Sequence, residues 1–120
     1  MSCEPVSPWR WYLEILAQFS AFLADGPGDV CRVKLTGEFD ISGRELADEV
    51  LAKANGARKV VLDLSELDFI DSMGIHFVVT AHQAAQAEGR EFTIVRGGPE
   101  VDRIFKLVGL GDVLPFEDAT

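Results

Sequence analysis

Short apolar runs alternate along this chain with stretches of helical spacing, and that alternation restricts the fold more than any other feature. Val30 to Thr36 alternates, with Val33 and Leu35 against Arg32, Lys34 and Thr36, as a strand with one wet face does. Ser42-x-x-Glu45 has a capping-box pattern and opens a helix through Leu46, Val50, Leu51 and Ala54, which Asn55-Gly56 ends. Val60-Val61-Leu62-Asp63-Leu64 is nearly continuous and suits a strand covered on both faces. A turn carrying Glu66, Asp68 and Asp71 leads into a helix from Met73 to Glu88, stopped by Gly89. Phe92 to Val95 is the next strand, and Gly98-Pro99 starts a last helix through Val101, Ile104, Phe105 and Val108. Val113 to Phe116 reads as a short edge strand, where Pro115 is tolerated. The order β-α-β-α-β-α predicts an α/β layer structure with a largely parallel sheet. The 120 residues suffice for one domain.

The front of the chain is harder to read. Ser7-Pro8 and Gly26-Pro27 punctuate a helix, and Trp9, Tyr12, Leu13, Leu16, Phe19 and Leu23 form a stripe at helical spacing. Trp11, Ile15 and Phe22 widen that stripe beyond one face, and a strand from Phe19 to Leu23 competes with the helix. The expectation is an apolar, helical segment over 1–28 ahead of a domain over 29–120. The apolar run Trp11 to Leu23 is broken by Glu14 and Gln18 and is too short to span a bilayer. Glu4 precedes the first Arg, against a signal peptide, so a cytoplasmic protein is expected.

Eleven Lys+Arg against 20 Asp+Glu give a net charge of −9, which repels phosphate backbones and anionic lipid headgroups. Neither nucleic acid nor a membrane is expected as a partner. Cys3 and Cys31 form no C-x-x-C pair, and with 48% hydrophobic residues available no disulfide framework is needed. His76 and His82 lie six apart, roughly 120° around a helix, and cannot share a metal as an i, i+4 pair does.

Functional loops of such sheets lie at the carboxyl ends of the strands. Gly37 to Ser42 and Ser65 to Gly74 are the two polar candidates, and the stretch from Val60 to Ile75 holds Asp63, Glu66, Asp68 and Asp71 with no Lys or Arg. These acids read either as a solvated turn and helix N-terminus or as hard ligands for Mg²⁺. Ser72 is not a hydrolase nucleophile, because G-x-S-x-G fails at Ile70 and no histidine follows where a triad needs one. No catalytic residue, metal or cofactor is assigned.

Two motifs then resemble a known family. Gly37-Glu38-Phe39-Asp40 is similar to the G-E-[LF]-D turn of STAS domains, and Leu62-Asp63-Leu64-Ser65-x-Leu67-x-Phe69-Ile70-Asp71-Ser72-x-Gly74 to their second signature. The nearest subgroup is the bacterial anti-sigma factor antagonists. The resemblance implies a single STAS-like α/β domain, with a largely parallel or mixed sheet of about four to five strands, behind an N-terminal apolar helix. It implies a regulatory binding module with no catalysis of its own, whose partner is an anti-sigma factor that is itself a serine kinase. Ser72 is the implied phosphoacceptor, and phosphorylation ends binding. Asp40, Ser42, Asp71, Met73 and Gly74 are the implied partner-binding residues. Read from the residues alone, Ser72 is either that hydroxyl or simply a helix cap. A STAS-like scaffold or ligand-binding subunit without phosphorylation is the alternative, and an acidic Mg²⁺ enzyme a third reading. The family begins with a strand beside Val30–Thr36, whereas the Trp-rich segment reads here as helical. Cover for the sheet, a substitute strand partner or a homodimer contact all remain open for it.

Overall fold

A computed structural model describes residues 19–26, 28–54 and 56–118. Five strands and three helices follow in order: β1 (Phe19–Gly26), β2 (Val30–Phe39), a 3₁₀ turn (Ile41–Gly43), α1 (Arg44–Ala52), β3 (Lys59–Ile70), α2 (Ser72–Ala87), β4 (Glu91–Val95), α3 (Pro99–Leu107) and β5 (Phe116–Glu117). They form one sheet in the order β1-β2-β3-β4-β5, with β1 antiparallel to β2 and every other pair parallel. The α/β class and the mixed five-stranded sheet are as expected.

Two elements differ from expectation. Phe19 to Gly26 is a strand, not the end of a helix, pairing Phe19 with Gly37 through to Gly26 with Val30. The strand wins because it supplies a partner for the β2 edge, and because alternation puts Phe19 and Ala21 on the core while Phe22 points the other way. The helix expected over residues 7–18 lies outside the described residues. The family's leading strand is therefore present.

The second difference is the stretch expected as a turn after Leu64, which continues β3 to Ile70. Two bulges explain it. Lys34 pairs with Asp63 and Thr36 with Glu66, then Gly37 with Leu67 and Glu38 with Phe69, so β3 carries extra residues at each step. Leu64, Leu67 and Ile70 are buried at intervals of three, not two, which breaks the strand pattern in the sequence.

All three helices contribute to one core. Val33, Leu35, Leu62, Leu64 and Ile94 from the strands meet Ala47 and Val50 of α1, Phe77 and Val78 of α2, and Val101 and Phe105 of α3. At the β1 side, Phe19 stacks on Phe39 with ring centroids 4.8 Å apart, and Phe77 meets Phe39 edge-on at 5.4 Å. Gly43 closes over Phe19 so tightly that a Cβ would lie 2.6 Å from its ring. This aromatic stack is the floor beneath the two loops described next.

Candidate functional site

The loop after β2 and the start of α2 meet at the carboxyl end of the sheet. Asp40 caps the 3₁₀ turn: its Oδ1 accepts from the Ser42 backbone N–H at 3.0 Å and from the Ser42 hydroxyl at 2.6 Å. Ser42 therefore does not cap α1 as the capping-box pattern suggests; the N-cap of α1 is Gly43, with no side-chain bond. Asp71 caps α2, its Oδ1 accepting from the Gly74 N–H at 3.0 Å, while its own N–H donates to the Phe39 carbonyl at 3.2 Å. That last bond ties the two loops together.

With Asp71 as the cap, Ser72 is the first residue of α2, exposed, and its side chain makes no hydrogen bond to another described residue. The helix-cap reading of Ser72 therefore fails. Gly74 fits because a Cβ there would lie 2.6 Å from Ile70 Cγ1 and 3.1 Å from Phe39 Cδ2, so the first turn of α2 rests directly on the core. Met73 is 37% exposed and points outward rather than into the core.

Two features were not singled out from sequence. Arg44 sits between the loops: its Nη1 donates to the Met73 carbonyl at 3.5 Å and lies 3.4 Å from His76 Nδ1, its Nε bonds Asp48 at 3.2 Å, and its guanidinium lies 5.5 Å from the Phe77 ring. Ile41, between Asp40 and Ser42, is 68% exposed, and Phe69 at the end of β3 is 48% exposed. An isoleucine inside a polar loop, with no periodic partner, was the available signal.

The acids do not act together. Asp63 is 7% exposed and faces Arg32 at 3.5 Å, Glu66 pairs with Lys34, and Asp71 is engaged in capping. Among the described residues no group of His, Cys, Asp and Glu is placed to hold a metal. His76 is exposed beside Arg44, whereas His82 lies against Phe92.

The Ser42 hydroxyl and backbone N–H hold the Asp40 carboxyl below its usual 3.8. A depressed carboxylate pKa stabilises the folded loop above the unfolded value, and that contribution fades as pH falls through the folded one. The Ser42 amide resonance should therefore shift with a midpoint below 3.8 in an acid NMR titration. Removing the other cap, with Asp71→Ala, should cost about 1 kcal/mol in urea denaturation, and Asp71→Asn a fraction of that.

A family model described as "Mlab, STAS domain" matches residues 22–115. The chain belongs to the STAS domain family. This STAS domain is 27% identical over 90 residues to the anti-sigma-B factor antagonist of Staphylococcus aureus, covering 73% of this chain and 83% of that one. An anti-sigma factor antagonist from Mycobacterium paratuberculosis has the same fold, with TM-score 0.73 at 24% identity over 82% of this chain and 84% of that one. So does the Bacillus protein SpoIIAA in its unphosphorylated form, with TM-score 0.71 at 22% identity over 84% and 89%.

Proposed function

We propose that this STAS domain is an anti-sigma factor antagonist, which docks on a serine-kinase anti-sigma factor and is released when Ser72 is phosphorylated. The observation that carries the reading is the division of labour at the start of α2. Asp71 does the capping, so the Ser72 hydroxyl stands exposed on a rigid helix end, where a kinase cleft can reach it. The name of the Staphylococcus aureus relative supports the partner class. The exposed side chains of Ile41, Met73 and Phe69 supply apolar contact area, and Asp40, Ser42, Asp71 and Gly74 fix the backbone that presents it.

The domain acts, on this reading, as a binding module in the cytoplasm and not as an enzyme. The kinase brings nucleotide, metal and catalytic base, so Ser72 needs only access and position. No described helix is long and apolar enough to cross a membrane. Incubation with the cognate anti-sigma factor and ATP tests the proposal: phosphate should map to Ser72 and be lost in Ser72→Ala. Docking without any phosphate transfer would favour a STAS-like scaffold instead.

A further inference from the structure

The sixteen residues of α2 hold no Asp, Glu, Lys or Arg, and His76 and His82 are its titratable side chains. His82 lies against the Phe92 ring, whereas His76 is exposed one turn beyond Ser72. Residues four apart share a helix face, with Cβ atoms about 5–6 Å from each other. From the other side His76 meets Arg44, whose Nη1 lies 3.4 Å from its Nδ1. A guanidinium only donates, so Nδ1 accepts and the ring proton is on Nε2, which bonds no described residue. Arg44 is held in place and still has donors to spare. Its side chain is 22% exposed, its Nε bonds Asp48, and its guanidinium lies 5.5 Å from the Phe77 ring. Besides His76, its Nη1 makes one long bond, 3.5 Å to the Met73 carbonyl, and its Nη2 makes none to a described residue.

We propose that Arg44 and His76 together hold the phosphate once Ser72 carries one. The inference rests on Ser72 as phosphoacceptor and adds the groups that receive the phosphate. The helix end does not receive it alone, because the Asp71 carboxylate takes the Gly74 N–H and the Asp71 carbonyl the Ile75 N–H. Glu45 and Asp48 on α1, and Asp40 on the loop bonded to Asp71, are carboxylates too and offer no donor. Within 37–48 and 65–76, the two segments that build the site, Arg44 is the sole Lys or Arg. Each residue turns the helix by about 100°, which puts His76 about 40° from Ser72 and Met73 about 100° from it, on the same side. Arg44 touches the Met73 carbonyl, so His76 stands between the serine and the guanidinium. A phosphoryl group on Ser72 therefore accepts from His76 and from the outer Nη edge of Arg44. The planar fork of a guanidinium bonds two phosphate oxygens at once, and such charge-assisted bonds are the strong ones.

Phosphoserine placed at position 72 during translation tests the pair without a kinase. Phosphorus NMR then follows the phosphate's second proton, which leaves an ordinary phosphoserine at about pH 6. In the otherwise native chain that midpoint should fall by about one unit, because two donors favour the dianion. Arg44→Gln should return most of the shift and His76→Gln about half of it. Arg103→Gln, which removes an equal charge from an exposed site on α3, should return none. Should Arg44→Gln fail to fold, His76→Gln still reads the pair, and so does nitrogen NMR of the Arg44 side chain, whose Nη resonances should shift on phosphorylation. A midpoint left at about 6 would overturn the proposal, and so would a lowered midpoint that neither variant moves. No kinase takes part, so that failure leaves the phosphoacceptor reading intact, while an anti-sigma factor that does not label Ser72 overturns that reading alone.

Discussion

Ser72→Asp is expected to weaken docking on the anti-sigma factor by about tenfold or more, and phosphorylation of Ser72 by about 100-fold, equivalent to ~2.7 kcal/mol. On the proposed reading the phosphate adds about −1.5 to −2 charges to the docking surface, beside Asp71, whose N–H is bonded to the loop that carries Asp40. Within the domain the helix dipole partly offsets that repulsion, since Ser72 is the first residue of α2, where a negative charge is favoured by about 0.3–1 kcal/mol. Ser72 is also exposed and bonds to no described neighbour, so no packing has to break. The thermal midpoint should therefore change little while affinity falls, which places the switch in the interface and not in the fold. Ser72→Ala should bind within about threefold of the native chain, because it removes the phosphoacceptor without adding charge. Calorimetric titration of the native, phosphorylated, Ser72→Asp and Ser72→Ala forms decides the matter. Equal affinity for Ser72→Asp and Ser72→Ala would remove the electrostatic basis of the switch.

Much of the site is legible in the sequence because it is built from local rules. A helix after the acidic stretch is legible, although the sequence offers Ser72 as its cap and the structure uses Asp71; the loop after β2 follows from its position at a strand's carboxyl end. What was not legible depends on tertiary pairing. The sequence pattern makes Ser42 the cap of α1, whereas the structure inserts a 3₁₀ turn capped by Asp40 ahead of α1, whose own cap is Gly43. The two bulges in β3 conceal a strand behind a period of three. Phe19 to Leu23 is apolar on both faces, so neither the helical nor the strand period dominates until β2 offers an edge to pair with. Arg44 escaped notice for a related reason. A lone arginine at a helix start carries no motif, and its contacts with Met73 and His76 span 29 and 32 residues.

Phe39→Ala should be among the most costly single changes to stability, about 3–5 kcal/mol, out of a total that for a domain of this kind is about 5–15. The ring is fully buried, stacked on Phe19 and edge-on to Phe77, so deletion leaves a cavity between β1, β2 and α2. The same residue carries the carbonyl that receives the Asp71 N–H, and its ring lies where Gly74 lets α2 come down. Packing and presentation of Ser72 therefore share one support. Phe105→Ala gives the comparison that separates the two roles. Phe105 is equally buried but packs against Phe116 at the far edge of the sheet, so it should cost a similar amount in urea denaturation. At a temperature where both variants remain folded, Phe39→Ala should also weaken docking, since the first turn of α2 and the loop after β2 lose their common floor. Phe105→Ala should not. If both variants dock equally well, the aromatic stack is ordinary core, and the loops hold their geometry through Asp40, Asp71 and Arg44 alone.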